Sequence, residues 1–584
     1  MSKIIFQGDP TGRADSAAPL QEAIDQLAAQ GGGTIVIPHG NYAMSTYRPT
    51  THPCKFTNIL VPSNVTLEGE GHARLRQAVS GRAPVGNCGW IENSVVGIAN
   101  PSTFQWIAFQ HGPFYNAHPV AANDAMIVTR VPGEAAQFSV GDLIGVYEQT
   151  TGDVIPSEFT EVTSVDPATG RIGLAVHLAR NFPTAYLTKV THWATRNVTL
   201  RNLTIQGAVP VEVQEAFNVT LENCDLRYDN TVGGNNIVTG FVINTVRNFT
   251  MVGGSVGPVP GGPLIGTELP QRNSADVTFE GVTFTGTSFA TGEFGIHWKV
   301  SRCRFWLTNA GASAHGFALQ GWNMLAVGND FHARGYSSPG SACVTDFAGA
   351  YEHVQAGRLF GGVRFLGNSI YADNLVSGNP AVSSHLPGTQ WSGNHIEANA
   401  GTVGAVLHGD QFVFSANHLS VAWVNWAILA ESWAPTDGGV IANNVVNGGG
   451  SAVNGVDFPG RDPRAGGYVV VGNIFMGFRG QGVNSGALSA AHQGTVVVGN
   501  YGADSAAAAA KHDLAVAGPP EALAARAVAA GSPPGSGFSG SNGGAESRRS
   551  GPVVGPPPTS REAVSPAVQD ANDIEKNRAL GTSR

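Results

Sequence analysis

Apolar residues recur along this chain with two periods. Near the start, Leu20, Ala23, Ile24, Leu27 and Ala28 follow the i, i+3, i+4, i+7, i+8 spacing that paints one apolar stripe on a helix. Asp15 or Ser16 stands where a helix cap belongs, and Gly31 where a helix stops. The short apolar strand TIVIP and the turn HGNY follow. From residue 197 the spacing changes to alternation. A phrase of strand, corner and second strand recurs as NVTLRNLTIQG, NVTLENCDLRY, NFTMVGGSVG, DVTFEGVTFTG, WKVSRCRFWL, MLAVGNDFHA, GVRFLGNSIYA, GTQWSGNHIEA, QFVFSANHLSV, GVIANNVVNGG, YVVVGNIFMG and GTVVVGNYGA. Successive copies start 21 to 38 residues apart. A period in this range with strands and no helices predicts a β-solenoid, in which each turn buries its apolar face only by stacking on its neighbours.

The corner of the phrase holds asparagine at Asn202, Asn223, Asn329, Asn368, Asn394, Asn417, Asn444, Asn473 and Asn500. Asparagine tolerates left-handed backbone, and stacked copies can bond one another. The pattern breaks over 125–190, where FSVGDLIGVYE and a hairpin around DPATG predict a small β insertion. The expected organisation is a cap helix and first rungs over 1–124, the insertion over 125–190, the main solenoid over 191–504 and an Ala/Gly/Pro-rich tail over 505–584 without the apolar periodicity of a core.

Composition narrows the function classes. Charged residues make up 13% of the chain, glycines number 77 and the net charge is −9, with six lysines. That balance excludes the basic footprint of a dedicated nucleic-acid binder. Five cysteines without a CxxC pair give no zinc module; Cys54 and Cys88 are the one candidate pair, and buried free thiols are the alternative. The start MSKIIFQGD has no signal-peptide apolar run, and no stretch has the length of a membrane span. An extracellular role is therefore expected only through a virion or another non-classical route.

The segments GDPTGRAD, GGGTIVIP and PHGNY, with NVTLEGEG at 64–71, resemble the N-terminal signature of the pectate-lyase-like superfamily. The resemblance spans roughly residues 4 to 503. It implies an all-β fold: a right-handed single-stranded parallel β-helix with an N-terminal α-helical cap and a small β insertion. It also implies a polysaccharide or oligosaccharide partner and, by likeness to tailspikes, a homotrimer. The superfamily includes hydrolases, lyases, epimerases, phage depolymerases and proteins without known activity.

Such proteins usually bind substrate along one parallel sheet. Counting nine residues back from the corner asparagine gives Gln320, His385 and His408. By strand position Asp346, Asp410, Glu431 and Asp457 fall near the same column. Paired carboxylates hydrolyse glycosidic bonds at separations of about 5 Å or of about 6.5–9.5 Å, which is one or two rungs. Asp346, Asp410 and Glu431 are thus the expected catalytic acids, with His385 and His408 tuning them or holding hydroxyls. Each acid taken singly has the alternative of a solvated surface carboxylate. Seven of the ten tryptophans lie between 298 and 433, and Trp322 and Trp433 adjoin the column as sugar-stacking candidates. GEFGIHWK places Glu293, His297 and Lys299 on one strand face as a second constellation.

No cofactor is expected, and His111 and His118 lack a metal spacing. The galacturonase-type motif set is absent, and no calcium-binding acid cluster is evident. The acids of the column outnumber its bases, so glycoside hydrolysis is the expected reaction. The alternatives are a non-catalytic carbohydrate-binding spike or adhesin, and a polysaccharide lyase.

Overall fold

The structure, a computed structural model, describes residues 2–49, 55–78, 92–99, 113–148, 157–191, 195–231, 238–262, 264, 274–290, 295–308, 315–336, 341–346, 361–373, 379–399, 401–408, 411–430, 438–458, 467–484 and 495–502. Asp410, Glu431, Trp433, Glu293, Cys54, Cys88 and the 505–584 tail lie outside them.

The repeated phrase winds as a parallel β-helix. Its first strands pair parallel and in register, one rung on the next: Lys299–Ser301, Leu325–Val327, Arg364–Leu366, Gln390–Ser392, Val413–Ser415, Val440–Ala442, Val469–Val471 and Val496–Val498. The second strands stack likewise, from Arg304–Thr308 through Asp330–Arg334, Ser369–Asp373, His395–Ala398, His418–Ser420 and Val445–Ala452 to Ile474–Phe478. A third face is its own sheet of seven parallel strands between Phe289 and Asp457. On most strands of the first two faces residues alternate between core and solvent, whereas Phe317–Leu319, Val344–Asp346, Pro380–Ser384 and Val403–Leu407 of the third are buried throughout; identical inward positions form columns. Phe284, Phe305 and Phe331 stack at centroid separations of 4.9 and 4.8 Å, close to the rung spacing. Phe365 lies on Trp391, which is fully buried, as is Trp298. Each such ring contributes roughly 2–3 kcal/mol of apolar transfer free energy.

The corner between the first two faces uses two adjacent columns. The leading one has left-handed backbone, as at Asn202 (φ 54), Asn223 (φ 50), Gly328, Gly367, Gly393, Ala416 (φ 54) and Asn443. The next one turns inward and carries Asn329, Asn368, Asn394, Asn417, Asn444, Asn473 and Asn500, bonded in series. Asn202 and Asn223 therefore belong to the left-handed column, one residue ahead of the ladder, where the early rungs place Leu203 and Cys224 instead. The difference is invisible in an Asn count because both columns favour the same residue for different reasons.

Helix α1 (Ala17–Ala29) packs against the N-terminal strands Ser2–Ile5, Gly33–Ile37 and Lys55–Leu60. Leu20, Ile24 and Leu27 are fully buried beneath it. Ser16 occupies the N-cap but makes no side-chain cap; the Asp15 carboxylate accepts the Ala17 N–H at 3.1 Å and the Ser45 N–H at 2.8 Å. Gly31, Gly32 and Gly33 have φ of 88, 107 and 151, and a Cβ on the last two would collide with the carbonyls of Asn64 and Ser2. That is why three glycines stand between helix and first strand. The insertion is a six-stranded antiparallel sheet that runs from Tyr115–Ala117 to Ala185–Thr191, so its first strand comes from a segment that the hydropathy pattern groups with the rungs. Its DPATG hairpin forms, pairing Ser157–Asp166 with Arg171–Leu174. Cys224, Cys303 and Cys343 are buried free thiols. Among the described residues no helix is long and apolar enough to cross a membrane.

Candidate functional site

The third face is built from Phe317–Leu319, Val344–Asp346, Pro380–Ser384, Val403–Leu407, Trp426–Ala430 and Asn454–Asp457, with Phe289–Ala290 at its edge. Phe317, Val344, Val382, Ala405, Ile428 and Val456 are in register and face the core. The alternate residues Ala318, Thr345, Ser383, Val406, Leu429 and Asp457 form the column that faces away from it.

His385 and His408 each directly follow their strand, after the paired residues Ser384 and Leu407. Their rings lie 4.8 Å apart, tilted by 35°. Gln320 stands at the same position after Leu319. The nine-residue count thus finds one true column. Asp346 pairs with Leu319 and Ser384, one residue short of that column, and is fully buried. Its carboxylate accepts the His385 N–H at 2.6 Å, the Leu386 N–H at 3.3 Å, the Ser384 hydroxyl at 3.4 Å and the Thr389 hydroxyl. Four donors on one carboxylate fix the turn from which His385 projects. A residue count could not place Asp346, because its corner carries extra residues before Asn368.

Asp457 falls in the outward column opposite Leu429, and its carboxylate accepts the Phe458 N–H and the Asn484 amide at 3.0 and 2.9 Å. Trp322 lies elsewhere, on Gly321–Trp322, which pairs with Gly295–Ile296. His297 is also off the third face. It sits exposed at a left-handed corner, 3.3 Å from the Asp276 carboxylate, which Arg247 also pairs at 2.9 Å. Desolvation opposes ionisation of Asp276, but the His297 and Arg247 contacts outweigh it and hold its carboxyl below the usual range.

Three groups escaped the sequence reading. Ser383 bonds the Thr345 hydroxyl at 2.7 Å and His385 Nε2 at 3.1 Å, a hydroxyl track leading to the imidazole. Alternation, two residues before His385, was the available signal. His315 accepts the Ala342 N–H on Nδ1 at 3.2 Å. Burial pushes its imidazole down to about 3, and nearby His385 adds to the effect. Trp426 packs with Val403, Val406 and Leu429 in an apolar cluster separate from the core. It belongs to the tryptophan-rich stretch but not to the residues adjoining the count. Among the described residues no cluster of three or more His, Cys, Asp or Glu suits a metal ion.

No protein-family profile matches the chain, and no curated protein matches it. Solved structures do. The Azotobacter vinelandii mannuronan C-5 epimerase AlgE6 A-module is 14% identical, with 86% of this chain and 99% of that chain covered at a TM-score of 0.42. Tailspike protein 3 of bacteriophage CBA120 is 10% identical, with 85% and 61% covered at 0.43. The tailspike gp49 of Pseudomonas phage LKA1 is 12% identical, with 82% and 84% covered at 0.41. Similarity of this degree carries no information about chemistry.

Proposed function

We propose that the protein binds an extended polysaccharide along the third face and cleaves it by hydrolysis. The observation that supports this most is the placement of His385 and His408 on consecutive rungs with their rings 4.8 Å apart. The Thr345–Ser383 hydroxyls lie on one side of them and the Trp426 cluster one rung beyond. The hydroxyls are buried and support the site from behind; the half-buried imidazoles at rung spacing, with Trp426 one rung on, suit a chain of hydroxylated rings. In this reading Asp410, two residues past His408, and Glu431, directly after Ala430, supply the acid and base of the hydrolytic pair. Asp346 is a positioning residue for His385. The assembly that accompanies this reading is a homotrimer, which light scattering of the purified chain would test.

A second reading has its own support. The described part of the column carries two imidazoles, and its Asp457 carboxylate is engaged by the Phe458 N–H and the Asn484 amide, which suits proton abstraction and β-elimination. A panel of polysaccharides separates the readings. Hydrolysis gives new reducing ends without ultraviolet absorbance from unsaturated products; elimination gives both; a binding module gives neither. His385→Gln and His408→Gln are expected to slow product formation about a hundredfold each, the cost of misplacing the substrate against the reacting groups. If both variants keep full activity, the third-face assignment fails.

A further inference from the structure

The second face carries a pair of histidines that the proposed reaction does not use. His395 and His418 are in register on adjacent strands, and their Nδ1 atoms are 3.0 Å apart. His395 Nε2 lies 2.8 Å from Glu397 Oε1. A carboxylate there accepts a hydrogen bond from Nε2–H and so leaves the His395 Nδ1 lone pair directed at its neighbour, the arrangement that orients metal-ligating imidazoles. In the free protein His418 fills the gap by donating its own Nδ1–H.

The backbone beneath is fixed. Asn394 and Asn417, the residues just before the two histidines, belong to the buried ladder and bond each other at 2.9 Å. The His395 and His418 N–H groups donate to the Asn368 and Asn394 carbonyls, each at 2.8 Å. Both side chains remain accessible: His395 is 37% exposed, Glu397 52%, and His418 lies on the surface.

We propose that His395 and His418 form a two-imidazole site for copper(II) or nickel(II), with Glu397 holding His395 in the ligating tautomer. The choice of ion follows from the spacing. Two nitrogens about 2.0–2.1 Å from one ion are about 2.9 Å apart at a right angle and about 3.4 Å apart at the tetrahedral angle. The observed 3.0 Å fits adjacent positions of a tetragonal or octahedral ion. On binding, His418 moves its proton from Nδ1 to Nε2, and water completes the coordination. The ion then staples two rungs across the outside of the sheet.

The test uses the full chain, stripped with chelator and titrated with copper(II). The first equivalent is expected to show an electron paramagnetic resonance spectrum with two imidazole nitrogens. His395→Ala and His418→Ala should each weaken that binding at least tenfold. Glu397→Ala should weaken it about 10- to 100-fold while keeping two nitrogens in the spectrum. The proposal is overturned if the double variant, with an unchanged circular dichroism spectrum, binds the first equivalent like the parent, or if the parent spectrum shows fewer than two imidazoles.

Discussion

At Asn394 one side chain serves three rungs. Its Oδ1 accepts the Asn368 backbone N–H and amide at 2.9 and 3.0 Å, and its Nδ2 donates to the Phe365 carbonyl and to Asn417 Oδ1 at 3.0 and 2.9 Å. Asn394→Ala orphans several buried groups, each costing about 1–3 kcal/mol, so a loss of at least about 3 kcal/mol is expected in denaturant unfolding. Asn500, last in the series, bonds the Val470 and Val498 carbonyls and is partly exposed, so Asn500→Ala should cost clearly less. Equal losses at the two positions would contradict the series arrangement. His315 adds a pH dependence of definite sign. Its imidazole is held near 3 in the folded chain, against about 6.5 when unfolded. The unfolded state therefore takes up the proton first, and stability falls as pH drops from about 6.5 toward 3. His315→Gln should flatten the thermal midpoint across that window.

Helix α1 closes the end of the stack with more than its apolar stripe. Gln21, buried at 5% exposure, donates to the Leu60 carbonyl at 3.0 Å and accepts the Leu60 N–H at 2.7 Å. Its amide thereby stands in for the strand that a further rung would supply. Gln21→Met keeps the volume but leaves both Leu60 groups unpaired, and a loss of about 2 kcal/mol is expected in thermal unfolding. The helix itself, its stop at Gly31 and the strand after it are legible in the sequence because period and glycine geometry are local. Gln21 is not, since its partner lies 39 residues away and nothing in the helical pattern asks for a buried amide. The same limit separates His385 and His408, found by a short count from a fixed corner, from Asp346, whose rung has a longer corner. The tryptophans divide for a related reason: Trp298 and Trp391 fill the core, whereas Trp306 and Trp423 are 47% and 69% exposed. An aromatic residue satisfies either side of an alternating strand, so composition alone does not sort them.

On the scale of the molecule, the insertion is tied to the β-helix by charged groups. Arg247, on Val242–Val252, donates to the Phe159 carbonyl at 2.7 Å and pairs with Asp276 on a neighbouring rung. Arg196 pairs with Glu161 and donates to the Gly141 carbonyl at 3.1 Å. Arg247→Met should leave the rungs folded but raise amide hydrogen exchange in Leu143–Tyr147 and Ser157–Asp166. Exchange unchanged there would mean that the apolar contacts suffice. The asparagine ladder has one more consequence, for the length of the molecule. Each amide reads only the rungs beside it, so a whole turn is a removable module. Excision of residues 395–417 joins Asn394 to His418, as Asn417 was joined before, and brings Asn368 and Asn394 into line with Asn444. Such a chain would close again one turn shorter, so the length of the molecule can be set in whole turns by gene editing.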